Sequence, residues 1–156
     1  MLKVVKSGFY TTIQDSGRFG YRAFGVPISG SMDSYSSHFA NSILGNDRDC
    51  AVLEITMSGP ELHFLEPTQI AIAGADLVPK LNGNLISNNQ VIDIKPNDVL
   101  SFAGLRKGLR CYLAIKGGLQ SEVYLGSRSM YNTISESDTI KVGEEIYYEK
   151  ARTNSI

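Results

Sequence analysis

Short β-rich runs, each broken by turn residues, constrain this chain most. The runs are Lys3–Val5, Tyr10–Gln14, Ala51–Thr56, Glu61–Leu65, Gln69–Ala73, Leu77–Leu81, Gln90–Ile94, Val99–Ala103, Leu109–Ile115 and Glu145–Glu149. Several alternate with a period of two, as a half-buried sheet requires. In Gln90-Val91-Ile92-Asp93-Ile94, Ile92 and Ile94 share one face and Asp93 takes the other. Leu81-Asn82-Gly83-Asn84 offers the strongest short hairpin signal, because both turn residues need positive φ. Lys95-Pro96-Asn97-Asp98 is a turn with φ preset by proline, and Arg106-Lys107-Gly108 reads as a third connection. Short strands at such spacing predict a mainly β barrel or sandwich.

One stretch has helical spacing. From Ser34 to Leu44, Tyr35, Phe39 and Ile43 fall on one helical face, which predicts the buried stripe of a single main helix. Ser31 or Asp33 can cap its start, and Gly45 supplies a left-handed end.

The 156 residues predict one domain over 1–150, with 151–156 as a frayed tail. Net charge is -1, and the nearest approach to a basic cluster is Arg106, Lys107 and Arg110. Three cations without interleaved aromatics read as a solvated turn, so no nucleic-acid partner is expected. No run of 18 apolar residues exists to span a membrane. Cys50 and Cys111 form no CxxC pair and sit among apolar residues as small hydrophobes. Met1-Leu2-Lys3-Val4-Val5 has no signal-peptide character. The expected location is the cytoplasm.

The stretch Thr11–Asp33 differs from the rest. It is glycine-rich and places Gln14, Asp15 and Arg18 within five residues, ahead of Tyr21 and Ser29. Glycines let a ligand approach the backbone, so such a loop can bind a ligand. An ordinary long loop held by an Asp15–Arg18 pair fits the same spacing. No GxxxxGK[ST] or GxGxxG phosphate loop is present, and no biotinyl-lysine segment. His38 and His63 belong to no HExxH or HxH arrangement, so no metal site is expected. Ser29, Ser31 and Ser127 lack a Gly-x-Ser-x-Gly elbow.

Taken together, the segments resemble a known family. Thr11-Thr12-Ile13-Gln14-Asp15-Ser16-Gly17-Arg18-Phe19-Gly20-Tyr21 is similar to its signature. The likeness continues through Gly25–Asp33, Ala40-Asn41, Leu44-Gly45-Asn46, Leu53-Glu54-Ile55-Thr56 and Ala73-Gly74-Ala75-Asp76. It ends with Tyr112-Leu113-Ala114-Ile115-Lys116-Gly117-Gly118 and Leu125-Gly126-Ser127-Arg128-Ser129. This is the family of biotin-dependent carboxyltransferases and 5-oxoprolinase C subunits, also called allophanate hydrolase subunit 2 or Kip antagonist. The chain resembles its amino-terminal half. Met130 stands where the family usually has threonine, and members are typically about twice this length.

The resemblance implies a cyclophilin-like β-barrel with one main helix. It also implies a subunit of ATP-dependent 5-oxoprolinase, which opens 5-oxoproline to glutamate with partner subunits and is inactive alone. Arg18 would then clamp the substrate carboxylate. Gln14 and Tyr21 would orient the amide, and Asp15 would fix Arg18 or handle protons. Ser29 and Asp33 would border the same concave surface. ATP would enter through 5-oxoprolinase subunits A and B, the latter Kip inhibitor-like, with no cofactor in this chain. One alternative is the carboxyltransferase part of a biotin-dependent urea carboxylase, with biotin supplied by another polypeptide or domain. Another is a regulatory protein that antagonises a kinase inhibitor.

Overall fold

In the computed structural model of the chain, the described residues are 1–15, 31–120 and 139–148. Among these described residues, eleven strands and one helix run in the order β1 (Leu2–Lys6), β2 (Tyr10–Gln14), α1 (Ser34–Ile43), β3 (Val52–Thr56), β4 (Glu61–Phe64), β5 (Thr68–Asp76), β6 (Pro79–Leu81), β7 (Asn84–Leu85), β8 (Ile92–Ile94), β9 (Val99–Phe102), β10 (Lys107–Ile115) and β11 (Glu145–Ile146). The strands form two antiparallel sheets. One has the order β11-β1-β4-β9-β6-β7, the other β2-β3-β10-β5-β8. The mainly β fold with one helix is the class expected from the strand spacing. The tail 151–156 lies outside the described residues.

The turn chemistry acts as its residues predict. Asn82 and Gly83 have φ of 52° and 82°, and Leu81 pairs with Asn84 across them. That is the two-residue loop that matches strand twist. The partner strand β7 escapes sequence reading because Asn84-Leu85 is two exposed residues with no alternation to detect. Asn97 takes φ of 70° after Pro96, and the Asp98 N–H closes on the Lys95 carbonyl at 3.1 Å. The segment Arg106-Lys107-Gly108 is a correction. The connection between β9 and β10 falls earlier, at 103–106, because β10 already begins at Lys107, opposite Asp76, and its register shifts before Cys111. Gly108 absorbs that bulge with φ of 84°.

The main core lies between the two sheets. Leu2 and Val4 of β1, Leu62 and Phe64 of β4, and Leu100 of β9 meet Ile13, Leu53, Ile55, Ile70, Ile72 and Leu113 of the second sheet. Each fully buried aliphatic side chain of this kind stabilises by about 1.5–3 kcal/mol relative to exposure. Cys111 belongs to this core, whereas Cys50 is only partly buried, and neither forms a disulfide.

The second sheet is buried on both faces. Its other face carries Val52, Ala71, Ala73, Tyr112 and Ala114 and is covered by Ala40 and Leu44 of the helix region. Here the expected stripe is overturned at Tyr35 and Phe39, although its third member, Ile43, packs half-buried against this face. Ser37, Ala40 and Asn41 are buried, while Tyr35 is 79% and Phe39 41% exposed. Tyr35 and Phe39 do share a face, and their rings stack with centroids 6.3 Å apart, but that face points outward. The physical reason is the partner surface. A row of alanines lets the helix approach closely, and only its small-residue face fits against them.

The helix ends are fixed by side chains. Of the two candidate caps Asp33 serves, with Oδ1 accepting from Ser36 N at 3.1 Å. At the other end Gly45 has φ of 71°; its N–H donates to the Ser42 carbonyl and the Asn46 N–H to the Asn41 carbonyl, both at 3.0 Å. That pair of bonds is the Schellman arrangement. Asn46 Nδ2 then reaches the Ile115 carbonyl at 2.8 Å, and its Oδ1 accepts from Gly117 N at 2.8 Å. The Ala40-Asn41, Leu44-Gly45-Asn46 and Lys116-Gly117 segments therefore meet at one joint that docks the helix.

Candidate functional site

The site is built on the outward face of the second sheet, at the start of the helix. Thr12, Glu54, Tyr112 and Ala73 stand opposite one another on successive strands β2, β3, β10 and β5, forming one row. Glu54 is 4% exposed and is the one charged residue of β3. A buried carboxylate needs donors, since leaving it unpaired is costly. It has two: the Tyr112 hydroxyl at 2.9 Å and Met32 N at 2.8 Å. The Tyr112 hydroxyl in turn accepts from Asp33 N at 2.8 Å. Burial, reinforced by the adjacent Glu54 charge, pushes the Tyr112 phenol well above its ordinary range, so it remains a donor.

These contacts fix both roots of the segment 16–30. On one side Asp15 follows β2, and its carbonyl accepts from Ser31 N at 3.2 Å. On the other side Met32 and Asp33 hang from the Glu54–Tyr112 pair. Asp15 and Ser31, the described residues on either side of that stretch, therefore meet at a single rim.

Of the expected site residues, Gln14, Asp15 and Asp33 lie at this rim. Gln14 is buried at the end of β2, with Nε2 donating to Thr12 Oγ1 at 3.1 Å. Asp15 is half-buried beside Ser31. Asp33 is exposed, and both its oxygens engage Ser36, through the backbone N–H and through the hydroxyl at 2.6 Å. The Ser36 hydroxyl holds the Asp33 carboxyl below its usual range, so it is ionised at neutral pH. Arg18, Tyr21 and Ser29 lie outside the described residues. Sequence reasoning missed Glu54 and Tyr112 as the residues that organise the rim. The available signal was the lone acid in Leu53-Glu54-Ile55, since a charge inside a buried strand must have partners.

Among the described residues no three His, Cys, Asp or Glu side chains converge as a metal site. His63 faces out and contacts Asn97 Oδ1 at 3.2 Å. Among the same residues no helix is long and apolar enough to cross a membrane. An open groove of about 510 Å³ adjoins the rim, between Met32 and Asp33 on one side and residues 74–76 and 107–110 on the other.

Residues 24–155 match the model of the carboxyltransferase domain, subdomain A and B. The chain belongs to that family. Among its relatives, the urea amidolyase of Lachancea kluyveri is 44% identical over 130 residues, covering 83% of this chain and 7% of that protein. The 5-oxoprolinase C subunit of Escherichia coli is 30% identical over 160 residues, covering all of this chain and 52% of that protein. The crystal structure of the K. lactis urea amidolyase superposes with a TM-score of 0.87 at 39% identity, over 94% of this chain and 9% of that one. The chain therefore spans about half of one relative and a small part of the others. The family resemblance of the sequence and the mainly β carboxyltransferase fold agree.

Proposed function

We propose that this carboxyltransferase-family chain is part of an ATP-dependent 5-oxoprolinase, opening the lactam of 5-oxoproline to glutamate together with subunits resembling 5-oxoprolinase subunits A and B. The observation that carries this reading is the end-to-end match to the 5-oxoprolinase C subunit, which leaves no part of this chain outside it. The rim supports it chemically. Lactam hydrolysis is slowed by amide resonance and needs positioned donors for the developing oxyanion and a clamp for the substrate carboxylate. Gln14, Asp15 and Asp33 stand where such a site would open, with Arg18, Tyr21 and Ser29 in the segment between. ATP is assigned to the partner subunits, because this chain has no phosphate loop.

A second reading is favoured by a specific observation. Identity is higher to urea amidolyase, at 44% against 30%, so the chain is alternatively the carboxyltransferase part of a biotin-dependent urea carboxylase. The biotin would then be carried by another polypeptide or domain.

The deciding experiment is co-purification with the candidate partners, followed by ATP-dependent assays on 5-oxoproline and on urea. Turnover of 5-oxoproline, absent from the chain alone, is the expected result. Turnover of urea with a biotinyl partner replaces the first reading by the second. In the assembled complex Arg18→Ala is expected to abolish most activity with little change in melting temperature. Unchanged activity would leave Arg18 as a loop-holding residue only.

A further inference from the structure

The groove beside Asp33 holds charges of both signs that do not neutralise each other. Asp33 and Asp76 line it, and so do Lys107 and Arg110. Among the described residues Asp76 Oδ2 pairs with Arg106 at 3.7 Å and its Oδ1 accepts from Val78 N at 2.9 Å, while neither Lys107 nor Arg110 makes an ion pair. Arg110 is half-buried. A guanidinium cannot shed its charge at any working pH, so its partial removal from water calls for an anion.

The backbone is shaped to present it. Arg110 pairs with Thr56 two positions before Tyr112 pairs with Glu54, so Arg110 and Tyr112 share the outward face. The β10 bulge lies next to it, and bulges re-aim side chains near sites. Gly74 has φ of 93°, and a Cβ there would meet the Arg110 carbonyl at 2.7 Å. A side chain at Gly74 would thus displace the strand that carries Arg110.

We propose that this groove binds a small acidic α-amino acid, with Arg110 and Lys107 against its carboxylates and the Asp33 and Asp76 side against its ammonium group. The charge count selects the class. Two cations and two carboxylates line the groove, and Arg106 offsets part of Asp76, leaving a small positive excess. A ligand with two carboxylates and one ammonium matches that balance. A simple dicarboxylate lacks the group for the aspartates, and a polyphosphate would be repelled by them.

The choice of glutamate as the probe rests on the function proposed above. Water adds across the lactam C–N bond, with hydroxyl to the carbonyl carbon and hydrogen to the nitrogen. The ring nitrogen leaves as an amine and takes up the proton of the new carboxylic acid. One carboxylate thereby becomes two carboxylates and an ammonium, at unchanged net charge. The groove would then receive the opened product.

The test is amide NMR titration of the full chain with L-glutamate, glutarate, 5-oxoproline and inorganic phosphate. Glutamate is expected to shift the Gly74, Gly108 and Arg110 amides, with glutarate and 5-oxoproline at least about fivefold weaker. Arg110→Gln should weaken glutamate at least about tenfold at unchanged melting temperature. The exposed Lys107→Gln, which carries no folding risk, should weaken it at least about threefold. No glutamate binding, unaltered affinity in both variants, or glutarate or phosphate binding as tightly as glutamate overturns the proposal. Turnover by the assembled complex is read separately. Turnover of 5-oxoproline without glutamate in the groove removes the groove alone, and glutamate in the groove without turnover removes the 5-oxoprolinase reading alone.

Discussion

The two faces of the β2-β3-β10-β5-β8 sheet are both buried, yet they are made differently. The inner face is Ile13, Leu53, Ile55, Ile70, Ile72 and Leu113, closed by the other sheet. The outer face is Thr12, Gln14, Glu54, Tyr112 and a set of alanines, closed by one helix. The same strands supply both, because successive side chains point to opposite sides. The inner face holds the molecule together by area and packing. The outer face spends its polar groups on direction: Glu54 and Tyr112 orient Met32 and Asp33, and so orient the rim where the candidate site opens.

Truncation on the inner face should have the largest effect. Leu53→Ala is expected to cost about 2–5 kcal/mol in denaturant unfolding, from lost burial plus the cavity left behind. A cost below about 1 kcal/mol would erase the distinction between the faces.

Glu54→Ala should follow, at about 1–3 kcal/mol, because it strands the Tyr112 hydroxyl and the Met32 N–H. A double-mutant cycle with Tyr112→Phe sharpens this. A coupling of about 0.5 kcal/mol or more makes the pair one unit, whereas simple additivity would dissolve it.

Asp33→Ala should cost about 1 kcal/mol through the lost cap. Its pH dependence has a defined sign. The folded carboxyl is held below its ordinary value by Ser36, so its contribution is complete above the unfolded value, near about 4. It is lost as pH falls through the lower folded value. Thermal melts of Asp33→Asn across that range should show the cap retained and this acid-side loss removed. An identical acid profile in the variant would refute the assignment.

The smallest effect belongs to the outward helix face. Tyr35→Ser should change stability by no more than about 0.5 kcal/mol, since the ring is mostly exposed. A loss like that of a core residue would restore Tyr35 to the buried stripe that its spacing suggested.

Much of the framework was legible. β2 has the bounds its pattern predicts, and the other expected strands recur within a few residues. The turns at Asn82-Gly83 and Pro96-Asn97 and the helix end at Gly45 adopt the backbone their residues require. Of the candidate site, Gln14, Asp15 and Asp33 lie where the two ends of segment 16–30 are rooted, but the residues that set that rim were not legible. Glu54 and Tyr112 are 58 positions apart and meet only through strand register.

Local pattern alone determined the mainly β class, the turn types and the existence and length of one helix, because each depends on residues within a few positions of one another. Register between distant strands, which places Glu54 beside Tyr112, was decided by the tertiary structure. So was the buried face of the helix. Periodicity shows that Tyr35, Phe39 and Ile43 lie on one side, but it carries no information about the surface they would meet. The alanines of β5 and β10 leave room for a close approach, and close approach selects Ser37, Ala40 and Asn41 while turning the aromatics out to solvent.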